Sequence, residues 1–382
     1  MLDNKSMEWV RSLIKGYYQK ATDIAPTNVE KREFGFGDFE KKIAYRHTAF
    51  KTGKELSEYL VKNLPPFVSY SSAYYQKPDG RPMESKRLMG AELVFDLDAD
   101  DLKLECKLEH GGKWVCRNCL DSVKEETIRL IEDFLLPDFG FSESQLGINF
   151  SGNRGYHVHV YGDGVFNLDG DARKGISDYI AGNNIELTSF FPSLGMKGKR
   201  LEGPKPTDYG WGGKLANGII KAINEGTSSL QELGIEKTEA NLLIRKRAEV
   251  ILGITTGNWD KVNIPKKAEF WGNVLKGISI GQSESIDKNV TNDLYHLIRM
   301  PGTLHGDTGL IAKTIPGITA LKGFDPMKDA IAFKGGSLRV RITKAPKFSM
   351  AGKEYGPYEN ATEELPTCVA AYLVLKRLAS VV

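Results

Sequence analysis

The chain contains no stretch approaching the roughly 18 consecutive apolar residues of a membrane span, and its opening MLDNKSMEWVRSLIKGYY has no continuous apolar core of the secretory kind. No membrane association and a cytosolic location are therefore expected. Cysteine is equally scarce. Only four occur in 382 residues, and Cys106, Cys116 and Cys119 fall in one short segment that also holds His110, which argues against a secreted disulfide framework. Net charge is small too: 52 Lys and Arg against 49 Asp and Glu leave +3. Charge alone therefore does not mark a nucleic-acid binder, although a near-neutral chain can still bind one through cations gathered in a single groove. Internal repeats and low-complexity tracts are missing as well.

What is present is ordinary for a globular protein with a real core, at 41% hydrophobic and 26% charged residues. SMEWVRSLIKGYYQKA reads as an amphipathic helix, since Trp9, Leu13 and Tyr17 recur at helical spacing. A hairpin is expected over residues 31 to 50, a helix in LSEYLVKNL before Pro65 and Pro66, and a strand in FVSYSSAYYQ. SVKEETIRLIEDFLLPDFG and DARKGISDYIAG read as helices, and LGINFSGNRGYHVHVYG as two strands around a tight turn. A mostly helical insertion is expected over 203–276. The segment before MPG looks helix-like, residues 298–347 return to turn-rich strands, and ELPTCVAAYLVLKRLASVV reads as a helix with Pro366 in its first turn.

GAELVFDLDADD carries the first chemistry. On a strand, Glu92, Val94, Asp96, Asp98 and Asp100 share one face while Leu93, Phe95, Leu97 and Ala99 share the other. Carboxylates two residues apart repel unless compensated, and hard divalent cations with oxygen ligands compensate them. The alternative is an edge strand ending in solvated acids. Asp100 and Asp101 read as solvated turn residues.

In NFSGNRGYHVHV, a turn through Gly152 and Gly155 can present backbone N–H groups, Ser151 and Arg154 to a phosphate, with His157 and His159 following on one face. An ordinary hairpin accounts for the same glycines, and His159 reads as a satisfied strand histidine. Further on, Asp287 precedes Arg299 and His305, and His296 is expected to be structural. If Asp287 joins Asp96 and Asp98, three carboxylates can hold two ions, with Arg299 and His305 left for a triphosphate or ribose. Cys106, His110, Cys116 and Cys119 form C-x3-H-x5-C-x2-C, a closed four-ligand set suited to structural Zn²⁺ rather than to a catalytic ion. Cys368 is expected simply to pack.

Taken in order, FDLD, the Cys/His segment, SGNRGYH, and ID followed by HLIRMPGTLH resemble the catalytic small subunit of archaeal and eukaryotic DNA primase, with the HGDTGL ending closer to archaeal members. REFGF, YRHTAF, YSSAYY, DARKGISDYI and ELPTCVAAYLVLKRLA extend the resemblance over nearly the whole chain apart from the helical insertion. It implies an α+β catalytic core of mixed β-sheets flanked by helices, formed by residues 1–202 and 277–382, with a zinc-binding excursion at 104–121 and the helical subdomain at 203–276.

By the same resemblance, Asp96, Asp98 and Asp287 match catalytic acids that bind Mg²⁺ or Mn²⁺. Ser151, Arg154, His157, Arg299 and His305 match positions that hold the incoming nucleotide, and Glu33 and Arg46 fall in the early active-site motif. Asn153 stands where some relatives carry a second arginine, and Arg299 where some carry lysine. The implied activity is primer synthesis on single-stranded DNA from nucleoside triphosphates, in a heterodimer with a large noncatalytic subunit and within archaeal-type, nucleoid-associated replication machinery. Related primase-polymerases or end-joining repair polymerases would share the acids and the glycine turn. A noncatalytic zinc-containing nucleic-acid-binding subunit is the contrasting class, and the intact acids argue against it.

Overall fold

Asp3 caps the first helix, α1 (Asn4–Tyr18), by accepting from the Ser6 amide at 2.9 Å, and Val10, Ile14 and Tyr18 form its buried stripe at a spacing of one turn. Thr52 does the same for α2 (Gly53–Asn63), accepting from the Glu55 amide at 3.2 Å, and the helix stops short of Pro65 and Pro66 as expected. The computed structural model describes residues 2–111, 114–183, 185–194, 196, 199–262, 274, 278 and 288–382.

Two four-stranded sheets position the candidate residues. One has β1 (Phe34–Gly37) between β2 (Tyr45–Thr48) and β3 (Phe67–Ser71), with β9 (Leu297–Arg299) on the far side of β3. In the other, β8 (Gly155–Val160) lies between β6 (Leu93–Asp98) and β7 (Leu146–Phe150), and β10 (Lys313–Ile315) completes the edge beside β7. Smaller sheets pair β4 (Ala73–Tyr75) with β5 (Leu88–Ala91), β12 (Phe348–Met350) with β13 (Lys353–Tyr355), and β11 (Ser337–Ala345) with β14 (Tyr358–Pro366) and β15 (Ala379–Val381). All these described pairings are antiparallel, as an α+β architecture favours. The α+β class and the hairpin of β1 and β2 agree with the sequence pattern.

Two expectations change. LIR, directly before MPG, is the strand β9 and not part of a helix, because β3 offers it a backbone edge and Leu297 and Ile298 are buried there. The closing segment divides into the end of β14, a helix Thr367–Leu375 with Pro366 at its N-cap, and β15; Pro366 therefore precedes the helix rather than lying in its first turn.

The chain separates into two compact units. One comprises Met1–Ile128, Ser142–Lys174 and Ile286–Val382, and holds all the strands named above. The other comprises Arg129–Phe141 and Gly175–Ser285. There the helix Gly210–Glu225 buries Leu215, Ile219 and Ile223, Trp211 donates to the Tyr179 carbonyl at 2.7 Å, and the helices Thr227–Glu232, Lys237–Arg245 and Arg247–Thr255 follow. Among the described residues no helix is long and apolar enough to cross a membrane.

Candidate active site and metal centre

The alternation read from the sequence holds on β6. Leu93, Phe95 and Leu97 are fully buried, while Asp96 and Asp98 lie on the opposite, partly open face. The pairing with β8 then decides what those acids meet: Asp96 stands opposite His157, and Asp98 opposite Gly155. His157 Nε2 lies 3.5 Å from Asp96 Oδ1. Arg154 Nε reaches Asp98 Oδ1 at 2.9 Å and Oδ2 at 3.1 Å, and its Nη1 pairs with Asp100. Asp98 also caps the following turn by accepting from the Asp100 amide at 2.9 Å. Asp100 is thus held by Arg154 rather than merely solvated.

Both glycines of the turn are needed, for different reasons. Gly152 has φ +88°, and a Cβ there would meet His305 Cβ at 2.9 Å. Gly155 has extended backbone, but a Cβ would strike the Leu97 carbonyl oxygen at 2.3 Å, so only glycine lets β8 lie this close to β6. Ser151 Oγ closes the turn by accepting from the Gly155 amide at 3.1 Å, leaving its own proton for another acceptor. Thr308 Oγ1 donates to the Gly152 carbonyl at 2.6 Å, which fastens the loop carrying His305 against the turn.

His305 is buried edge-on against Phe67, and its Nδ1 accepts from the Asp307 amide at 3.3 Å, which leaves Nε2 as the donor of a neutral ring. Burial, followed by the charges of Arg299, Lys42, Lys376 and Arg154, holds its pKa well below the ordinary histidine value. His157 is lowered in the same way by burial, then by His159 and Arg299, and its Nδ1 has no hydrogen-bond partner among the described residues. Arg299 donates to the Val68 carbonyl at 3.1 Å and lies over Phe67, and burial brings its pKa to about 10. Asp287, the expected third acid, lies outside the described residues.

Glu33 and Arg46 meet in a separate network. The Glu33 carboxylate is fully buried and accepts from Arg46 Nε at 2.7 Å, Arg46 Nη2 at 3.1 Å and the His47 amide at 3.0 Å, with Lys86 Nζ at 3.2 Å. Burial alone would raise its pKa, but the Arg46 hydrogen bonds and the charges of Arg46 and Lys86 outweigh that and hold it below the usual value. Among the described residues no hydrogen bond or ion pair links Glu33 or Arg46 to Asp96 or Asp98. His159 is a buried strand histidine and only half satisfied: Nδ1 donates to Glu92 Oε2 at 2.7 Å, while Nε2 has no hydrogen-bond partner among the described residues.

Two functional-looking cations went unseen in the sequence. Lys86 precedes β5 yet buries its ammonium against Glu33, and Lys376 follows an apolar helix yet reaches the glycine turn. Neither sits in a local pattern that announces its distant partner.

Asp96 and Asp98 form an oxygen donor set on one partly open face, which suits hard divalent cations. The Cys/His segment suits zinc. The four ligand atoms of Cys106, His110, Cys116 and Cys119 lie within 4.8 Å of one another. Cys119 Sγ is 3.6 Å from both Cys106 Sγ and Cys116 Sγ and 3.5 Å from His110 Nε2. Sulfurs at about 2.3 Å from a tetrahedral zinc stand about 3.8 Å apart, so these spacings fit. His110 Nδ1 donates to the Gly111 carbonyl at 2.8 Å, the kind of bond that turns Nε2 toward an ion. Lys107, in the short helix α3 (Cys106–His110), donates to the carbonyls of Asp100 at 2.9 Å and Leu102 at 2.6 Å, tying this segment to the turn after β6.

A family model described as DNA primase small subunit matches residues 95–315. The chain is 35% identical to the DNA primase small subunit PriS of Methanothrix thermoacetophila over 100% of both chains. It is 32% identical to that of Methanococcoides burtonii over 99% of both, and 34% identical to that of Thermoplasma volcanium over 87% of this chain and 84% of the relative.

Proposed function

Because the chain belongs to the family of DNA primase small subunits, we propose that it is the catalytic subunit of a DNA primase, building short primers on single-stranded DNA from nucleoside triphosphates. The observation that carries this reading is the register of β6 and β8, which sets Asp96 against His157 and Asp98 against Gly155, beside the turn from which Arg154 pairs with the Asp98 carboxylate. Asp96 and Asp98, with Asp287 as third acid, hold Mg²⁺ or Mn²⁺; such ions lower the pKa of the attacking 3′-hydroxyl and stabilise charge on the leaving pyrophosphate.

The side chains around these acids bind and orient. Arg154, held between Asp98 and Asp100, offers a rigid fork of donors to phosphate oxygens. Ser151, neutral His157 and neutral His305 donate hydrogen bonds without adding charge, and Arg299 supplies a second fixed cation. Glu33 fixes Arg46 toward the same nucleotide. No side chain is required as the principal base. The unit containing β6 and β8 is the catalytic core, with residues 203–276 as a helical subdomain, and the Cys/His segment holds a structural zinc. The partner is a large noncatalytic subunit, and the setting is the replication machinery.

The test is synthesis on an unprimed single-stranded template. The chain, alone and with its large subunit, should form dinucleotides and short products from triphosphates with Mg²⁺ or Mn²⁺, and Asp98→Ala should reduce this by about a thousandfold or more while leaving the circular dichroism spectrum unchanged. Good extension of a supplied primer without synthesis on the unprimed template would instead favour a repair or gap-filling polymerase. Full activity in Asp98→Ala would remove the metal assignment.

A further inference from the structure

Lys376 is the C-cap residue of the helix Thr367–Leu375 and stands 223 residues from Asn153, yet its Nζ donates to Asn153 Oδ1 at 3.2 Å. A lysine at a helix C-cap ordinarily extends into solvent beside the last carbonyls. This one folds inward, passing 5.6 Å from the centre of the Tyr372 ring, to end on the residue between Gly152 and Arg154. Its partner there is a neutral amide, and among the described residues no carboxylate lies within ion-pair distance of it.

The electrostatic surroundings point the same way. Burial brings the Lys376 pKa to about 8; Asp307 opposes that shift, Arg154 adds to it, and Asp100 and Asp98 oppose it. The same ammonium, with Arg299, Lys42 and Arg154, contributes to keeping His305 neutral. A partly desolvated cation without an ion-pair partner is poorly compensated, and an arriving anion compensates it. Purely structural capping would not require the ammonium to reach this turn.

We propose that Lys376 binds the triphosphate of the incoming nucleotide, and hence the pyrophosphate that leaves it, acting as a point charge beside Arg154 across the glycine turn. This rests on the catalytic reading above.

Primer extension by the full chain, with direct titration of inorganic pyrophosphate and Mg²⁺, tests it. In Lys376→Met the KM for nucleoside triphosphate should rise about tenfold or more, the usual weight of a charge-assisted contact. Pyrophosphate binding should weaken by a similar factor, while the KM for primer and template and the melting midpoint stay within error. Lys376→Arg should recover most of the loss. Unchanged nucleotide KM and pyrophosphate affinity in Lys376→Met would overturn the proposal. So would a rise confined to the KM for primer and template, which would place Lys376 on the nucleic-acid backbone. Equal losses of activity and melting midpoint in both variants would reduce it to a packing role. If the unaltered chain fails to extend primers, the catalytic reading falls, and the pyrophosphate titration still decides for Lys376.

Discussion

Glu92 sits just ahead of β6 on the face that carries Asp96, and it is 4% exposed. Its carboxylate pairs with Arg32 and accepts from His159 Nδ1 at 2.7 Å and from Tyr74 Oη at 2.7 Å. Burial would raise its pKa, but the His159 hydrogen bond and the Arg32 charge prevail and bring it from 4.5 to about 2. A carboxylate lowered in this way stabilises the fold fully above pH 4.5, and that stabilisation is lost as pH falls from 4.5 toward 2. Glu92→Gln should therefore cost about 3–5 kcal/mol at neutral pH, by leaving Arg32 buried without its counter-charge. It should also flatten the acid loss of stability across that window, as followed by denaturant titration at several pH values. An unchanged acid profile would show that another carboxylate carries it. At this scale the sequence revealed which residues have chemistry: the face shared by Asp96 and Asp98 follows from a period of two. It did not reveal Glu92 as the anchor of a buried network, or Lys86 and Lys376 as partners of distant groups, because those roles depend on tertiary contact.

The Cys/His segment shows how short elements acquire stability from outside themselves. Five residues of helix in α3 are too few to persist alone. Ligand spacing, the two Lys107 hydrogen bonds and Trp114, packed edge-on against Phe348 at 5.4 Å and Tyr372 at 5.7 Å, hold the segment in place. Elemental analysis of the purified protein should find about one zinc per chain. Cys119→Ser, at the most buried ligand, should remove it and lower the melting midpoint by roughly 5 °C or more. Zinc-free protein with full stability would defeat the assignment. Because Trp114 leans on Tyr372, zinc loss should also disturb the helix that carries Lys376. Elements with several turns or clear alternation were legible, including α1, α2, β6 and the pair β7 and β8. The three residues of β9 were not, since Leu-Ile-Arg fits one turn of helix as well as a strand and only the β3 edge decides. The closing helix was read too long for a related reason: apolar residues continue into β15, and pairing with β11 ends the helical run.

For the whole molecule, the partition into two units matters to how it melts. Asp96, Asp98, Arg154, His157, Arg299 and His305 all belong to the unit assembled from three chain segments. Calorimetry should resolve two transitions, and saturating nucleoside triphosphate with Mg²⁺ should raise only that unit's transition, by about 2.7 kcal/mol at a hundred times the dissociation constant. Asp98→Ala should abolish the rise. A ligand shift confined to the other transition would move the nucleotide site out of the proposed core.

The pairing of Asp96 with His157 has one more consequence. A slip of one residue between β6 and β8 would turn Phe95 and Leu97 outward and press both aspartates into the apolar interior, where each charge would lack a counterpart. Residues chosen for chemistry thereby exclude the nearest wrong alignment of the sheet, so a misaligned chain is unstable rather than folded and inactive.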